Sequence, residues 1–217
     1  MNITVEKTME MPNAVLFARK LDAALKAEQK KRQHFYKIID ENRKMEFING
    51  EIFFQSPVKL LHNEATGNLF QLLKAYVSTN KLGFVGIEKI LVSLTRNDYE
   101  PDVCFFGNEK SKSFTPKQMQ FPAPDFVVEV VSDSTERTDR ETKFQDYAAH
   151  GVREYWIVDP DKATVEQYLL QSEEYELLLK AKDGEIESIA IEGFRIPIRG
   201  IFDEAENLAA LRTLIAD

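Results

Sequence analysis

Apolar residues recur along this chain with two periods, and the switches between them outline the elements. Ala14, Phe17, Ala18, Leu21, Ala24 and Leu25 share one helical face, inside a glycine-free stretch that runs to about residue 41. The runs Lys44–Ile48 and Glu51–Phe54 flank Asn49-Gly50, a strong hairpin signal because both turn residues tolerate positive φ. Beyond Ser56-Pro57, the stripe Leu61, Ala65, Leu69, Leu72, Leu73 and Tyr76 predicts a helix from about Lys59 to Ser78. Ile87–Thr95 reads as one strand, Arg96–Asp98 as its turn, Pro101–Phe106 as the next strand, and Lys110–Gln120 as a loop. Phe126–Val131 is an apolar run interrupted only by Glu129. A helix capped by Ser134 or Thr135 runs to about His150, where Gly151 closes it. Arg153–Val158 is a buried-looking strand stopped by Asp159-Pro160. Val165–Leu170, Tyr175–Lys180 and Ile196–Ile201 are extended, and a last helix carries Leu208, Leu211 and Ile215.

The central order is helix, strand, strand, strand, helix, strand. A short turn joins the first two strands, and the later strand–helix–strand crossover implies a parallel pair. An α/β fold with a mixed central sheet follows. Residues 1–41 form an N-terminal helical extension, and residues 42–217 form the main domain with its added β-hairpin. The apolar stripe of the extension is expected to dock on a second subunit or on the outside of its own domain. Its basic flank, Lys26, Lys30, Lys31 and Arg32, is expected to be solvated, with a nucleic-acid-binding arm as the sharper alternative.

Composition narrows the functions. The chain has 217 residues, 43% of them hydrophobic, enough for a sizeable core. Its formal charge of −8 does not attract a phosphate backbone, so nucleic-acid binding needs a local basic patch or metal ions. Cys104 is the lone cysteine, which excludes an internal disulfide and an all-cysteine zinc site. No apolar stretch approaches a membrane span and no signal sequence is evident, so a cytoplasmic address is expected. There is no glycine-rich phosphate loop, and three scattered histidines make no zinc motif.

Glu129 is the most informative residue. An ionised carboxylate in a strand buried on both faces needs a cation, either a metal ion or a paired Lys or Arg. Asp125 shares its face but lies roughly 13 Å away along the strand, so it serves better as a structural cap. Asp102, opening the strand expected alongside, is the partner from which a hard-oxygen site for Mg²⁺ could form. The plainer alternative is that Asp102 caps the turn after Pro101. Asp139, Lys143 and Tyr147 recur every four residues on the next helix, which lets Lys143 reach Glu129. An ordinary surface pair between Asp139 and Lys143 is the alternative there. His62 is a candidate for orienting a water or Glu129, or for capping its helix, and Glu88 is a possible third carboxylate. Tyr147 and Trp156 are expected in the core.

Asp102 after Pro101, an acid in a buried third strand and a following helix together resemble the PD-(D/E)xK nuclease superfamily. More narrowly, Pro124–Ser132, Ser134-Thr135, Asp139, Lys143, Tyr147 and Gly151–Pro160 resemble the bacterial Uma-two family of restriction-endonuclease-like proteins. The similarity runs from about Phe47 to Leu170. It implies a restriction-endonuclease-like αβββαβ core, with Asp102 and Glu129 binding Mg²⁺ or Mn²⁺. In the wider superfamily a lysine stands two residues after the acid. Here that position is Val131, and Lys143 on the helix takes its place. Asp133 stands where the family usually has Pro.

The resemblance therefore implies a metal-dependent endonuclease hydrolysing phosphodiester bonds in DNA, with Asp102, Glu129 and Lys143 as catalytic residues and a homodimer or higher homo-oligomer as its working form. The rival is a catalytically inactive interaction module that keeps the carboxylates and Lys143 as a buried ion pair. Acidic charge favours the module, whereas retention of all three residues favours the enzyme.

Overall fold

The computed structural model describes residues 4–40 and 42–216; the boundary expected at residue 41 lies outside them. Two helices come first, α1 (Val5–Met9) and α2 (Ala14–Ile38). The hairpin follows as β1 (Met45–Ile48) and β2 (Glu51–Phe54). Ile48 faces Glu51, with Asn49 at φ 51° and Gly50 at φ 85°, the paired positive dihedrals that suit a two-residue hairpin turn. Next come α3 (Leu60–Thr79), β3 (Gly83–Ile87), β4 (Leu91–Ser93), β5 (Asp98–Tyr99) and β6 (Val103–Gly107). The stretch expected as a loop also contains a short helix, α4 (Asn108–Ser111), at its start and β7 (Gln120–Phe121) at its end. Then β8 (Phe126–Val130) carries Glu129.

The helix expected after β8 forms in three pieces: α5 (Glu136–Thr138), a π-helical turn (Asp139–Lys143) and α6 (Phe144–Ala149). Neither Ser134 nor Thr135 makes a side-chain cap; the Thr135 hydroxyl instead accepts from Ser132 N–H at 3.2 Å, in the loop leaving β8. The chain continues through β9 (Glu154–Asp159), β10 (Thr164–Gln171), β11 (Glu174–Ala181), β12 (Glu185–Glu187) and β13 (Arg195–Pro197). A 3₁₀ turn (Ile198–Ile201) and α7 (Glu204–Ala216) end the described chain.

The central sheet has strand order β11-β10-β9-β8-β6-β3. All neighbours are antiparallel except β8 and β9, so the α3-β3-β6-β8-helix-β9 order is the expected core. A second sheet, β2-β1-β5-β4-β7, holds the hairpin. It also takes up Leu91–Ser93 of the strand read as Ile87–Thr95, so the first core strand is Gly83–Ile87. The short turn expected between the first two core strands instead joins β4 to β5. The chain leaves the central sheet at Glu88, whose φ of 59° bends it away. It pairs as β4 and β5 in the second sheet and returns as β6. Glu88 N–H still donates to the Asp102 carbonyl at 3.0 Å, where β3 and β6 part.

Both faces of the central sheet are covered, which explains the continuous apolar reading of β8. Leu69, Leu72 and Leu73 of α3 pack with Val128, Val130 and Trp156 on one face. Tyr147 and Ala148 pack with Val127, Val131 and Ile157 on the other. Trp156 is fully buried, edge-on to Phe126 at 5.0 Å.

The extension does not dock on its own domain through its stripe. Phe17, Leu21 and Leu25 remain 39%, 50% and 43% exposed. The C-terminal end of α2 docks instead, through Phe35 and Arg32. Arg32 is not solvated: its guanidinium holds both Asp98 oxygens (2.6 and 2.9 Å) and donates to the carbonyls of Leu94, Thr95 and Asn97. Tyr36 adds a bond to Asp98 at 2.8 Å. Lys31 and Lys26 are engaged with Glu51 and Asp22. Arg32→Leu strands the buried Asp98 carboxylate, so a loss of about 3–5 kcal/mol is expected in chemical denaturation. Arg32→Leu with Asp98→Leu should recover much of it; equal losses in the single and double variants would argue against this clamp.

Candidate active site

Strand pairing brings the two predicted carboxylates to one place. β6 and β8 run antiparallel with Val103 opposite Val128, so Asp102 and Glu129 are the next pair out. Alternation gives both the face of Cys104, Val127 and Val131. Both line a cleft of about 390 Å³ that also includes Glu46, His62, Asp139 and Lys143. Residues of β2, the start of α3 and the loop after β8 form its mouth.

Lys143 lines this cleft and is only 2% exposed. Its ammonium is 3.0 Å from Glu46, 3.1 Å from Glu129 and 3.2 Å from Asp139. The predicted Asp139–Lys143 pair is thus present, but buried and shared with two further carboxylates. Tyr147 donates its hydroxyl to Glu129 at 3.3 Å. The π turn places Asp139 and Lys143 in the cleft while α6 continues along the sheet; such turns often mark functional sites.

Asp102 has a different set of partners. It accepts from Val130 N–H and from Lys44, each at 2.8 Å, and Lys44 also bonds Glu88 at 3.0 Å. His62 Nε2 lies 3.5 Å from Asp102, yet among the described residues neither ring nitrogen of this buried histidine has a hydrogen-bond partner. Asp125 lies elsewhere, holding Gly107 N–H and Lys110 at 2.7 Å. That is a structural role, as expected.

Five carboxylates therefore share two ammonium groups. Burial holds the Glu129 carboxyl well above the ordinary carboxylate range in spite of Lys143, and Asp139 is raised by the same cause. Burial also opposes the charge of Lys143, but Glu129, Glu46 and Asp139 outweigh it and keep the ammonium protonated. Burial pushes Asp102 up too; there His62 and Lys44 prevail and hold it below its usual range.

Glu154 shows what a purely structural buried carboxylate looks like in this protein. Its two oxygens accept from Trp156, Gln167, Ser188, Ile189 N–H and Ala190 N–H, all within 2.9 Å. Glu129 has no such shell of neutral donors: its described partners are Lys143 and Tyr147. The hard-oxygen donors, the charge excess and the His62 ring nitrogens, which lack a hydrogen-bond partner among the described residues, all suit a divalent cation.

Two residues of the cluster escaped the sequence reading, Glu46 and Lys44. Glu46 sits in an alternating run, Met-Glu-Phe-Ile, whose polar position normally faces water. Here all four residues are buried, because the strand lies between the cleft and α2. Its only sequence signal is a lone acid in a short apolar strand, the same signal that singled out Glu129.

Comparisons with known proteins agree with this architecture. The profile of the family described as "Uma2: Putative restriction endonuclease" matches residues 32–199. The uncharacterized protein sll1609 of Synechocystis sp. is 30% identical over 148 residues, 66% of this chain and 83% of its own length. A crystal structure from Anabaena variabilis, described as "a putative nuclease belonging to DUF820", superposes with a TM-score of 0.67 at 19% identity. The match covers 77% of this chain and 94% of that one, so the fold is shared. From the family match over most of its length, this chain belongs to the Uma2 family of restriction-endonuclease-like proteins.

Proposed function

We propose that this protein is a metal-dependent endonuclease that hydrolyses phosphodiester bonds in DNA, with Asp102, Glu129 and Lys143 as its catalytic residues. One observation carries the proposal: Asp102, Glu129 and Lys143 line one cleft whose carboxylates outnumber its ammonium groups. Asp102 and Glu129 would hold Mg²⁺ or Mn²⁺. When bound, the ion lowers the pKa of a water and offsets charge on the phosphate.

The remaining work falls to this chain's own groups. The Val130 N–H and Lys44 fix Asp102, and Tyr147 fixes Glu129. Lys143 supplies a permanent positive charge in a site largely closed to water, where it stabilises anionic phosphate oxygens more strongly than in solution. Hydroxyls of Ser132, Ser134, Thr135 and Thr138 line the cleft and can donate to the same oxygens. DNA as the substrate rests on the family. The unpartnered stripe of Phe17, Leu21 and Leu25 supports a homodimer or higher homo-oligomer, and Leu21→Glu with Leu25→Glu should lower the mass seen by light scattering.

The interaction-module reading is favoured by the charge of −8 and by the lysines' existing ion pairs. Supercoiled plasmid incubated with Mn²⁺ or Mg²⁺ separates the two. Cleavage by the wild type and its loss in Asp102→Asn, by about 10²-fold or more, is the expected result. Activity equal in both proteins points to a contaminant, and none in either leaves the module.

A further inference from the structure

The outer half of the carboxylate cluster contains a second set of potential donors. His62, Glu88 and Asp102 each offer a donor atom, and the three lie within 4.8 Å of one another. They come from separate elements: the first turn of α3, the bend after β3 and the residue before β6. His62 is only 7% exposed and its ring nitrogens have no hydrogen-bond partner among the described residues. A buried polar group left this way is destabilising, and a ligand would satisfy it. Glu88 holds a positive φ of 59°, a left-handed backbone uncommon for a side chain of its kind. The Lys44 ammonium already bridges Glu88 and Asp102 at 3.0 and 2.8 Å, so the position suits a cation.

We propose that His62, Glu88 and Asp102 form a binding site for a divalent transition-metal ion of the Mn²⁺ class, and that Lys44 is its exchangeable counter-charge when the ion is absent. Two donors each about 2.1 Å from one ion lie at most about 4.2 Å apart. The triad therefore needs only a small contraction to close. An imidazole donor favours transition ions, whereas Mg²⁺ prefers an all-oxygen shell. The dication also balances the two carboxylates by itself and releases the Lys44 ammonium. Sharing Asp102 ties this site to the nuclease reading, but cation binding here does not depend on cleavage.

Mn²⁺ binding by the full chain can be followed by the fall of the free-ion paramagnetic resonance signal, with Mg²⁺ as competitor. The wild type should prefer Mn²⁺ over Mg²⁺ by about tenfold or more. His62→Ala should bring that preference close to one while leaving Mg²⁺ binding in place. Lys44→Met removes the competing ammonium, so Mn²⁺ should bind more tightly and raise the melting temperature further than in the wild type. A preference that survives His62→Ala overturns the proposal. If His62→Ala does not fold, unchanged Mn²⁺ affinity in Lys44→Met overturns it. Preference for Mn²⁺ that depends on His62, without plasmid cleavage, upholds this site and sinks only the nuclease reading. Plasmid cleavage together with a Mn²⁺ preference that survives His62→Ala does the reverse.

Discussion

Lys143→Met is expected to melt roughly 10 °C or more below the wild type in the presence of EDTA. The methionine fills a similar volume, so the loss is electrostatic rather than one of packing. It removes the ammonium shared by Glu46, Glu129 and Asp139, none of which has more than marginal access to water. Breaking a buried pair from one side costs about 3–5 kcal/mol. The loss should also depend on pH. Burial already raises Glu129 and Asp139, and loss of Lys143 raises them further. Groups raised in the folded state bind more protons there than in the unfolded chain, so stability falls as pH climbs above the ordinary carboxylate range. The penalty should therefore be smaller near pH 5 than near pH 8. A variant that melts with the wild type at both pH values would show that Lys143 is not the counter-charge of this cluster.

Glu129→Gln should do the opposite to stability and more to chemistry. The amide keeps an acceptor for Tyr147, and Lys143 retains Glu46 and Asp139. No ammonium is stranded, and one member of a crowded carboxylate group loses its charge. The melting temperature in EDTA is then expected to be unchanged or higher, whereas Mn²⁺-stimulated cleavage should fall by about 10²–10³-fold or more. Marked destabilisation in EDTA, with no rise of the wild-type melting temperature on adding Mn²⁺, would sink the nuclease reading and leave the interaction module.

Much of this was visible in the residues themselves. The Asn49-Gly50 hairpin, helix α3, the buried acid in β8 and the β6-β8-helix-β9 order rest on local signals strong enough to survive folding. Lys143 could be placed because helical spacing ties it to Asp139 and Tyr147. What could not be read was non-local. Glu88 carries a left-handed backbone without the glycine that normally announces one, so Ile87–Thr95 looked continuous. Arg32 stood in a basic flank indistinguishable from a solvated one, because its partner Asp98 lies 66 residues away in sequence. Lys44 and Glu46 join the cluster only because the hairpin folds over the central sheet. The π turn leaves no mark in the sequence, since its residues are ordinary helix formers.

The position of the single tryptophan has a spectroscopic consequence. Trp156 stands opposite Val128 in register, one residue from Glu129 along the sheet but on the α3 side. Its indole is fully buried and bonded to Glu154, not to any group of the cleft. Intrinsic emission from this protein therefore reports the integrity of the core beneath α3. Changes of charge in the cleft act on Tyr99, Tyr147 and Tyr155 on the opposite face of the sheet, so the tryptophan signal should stay blind to them.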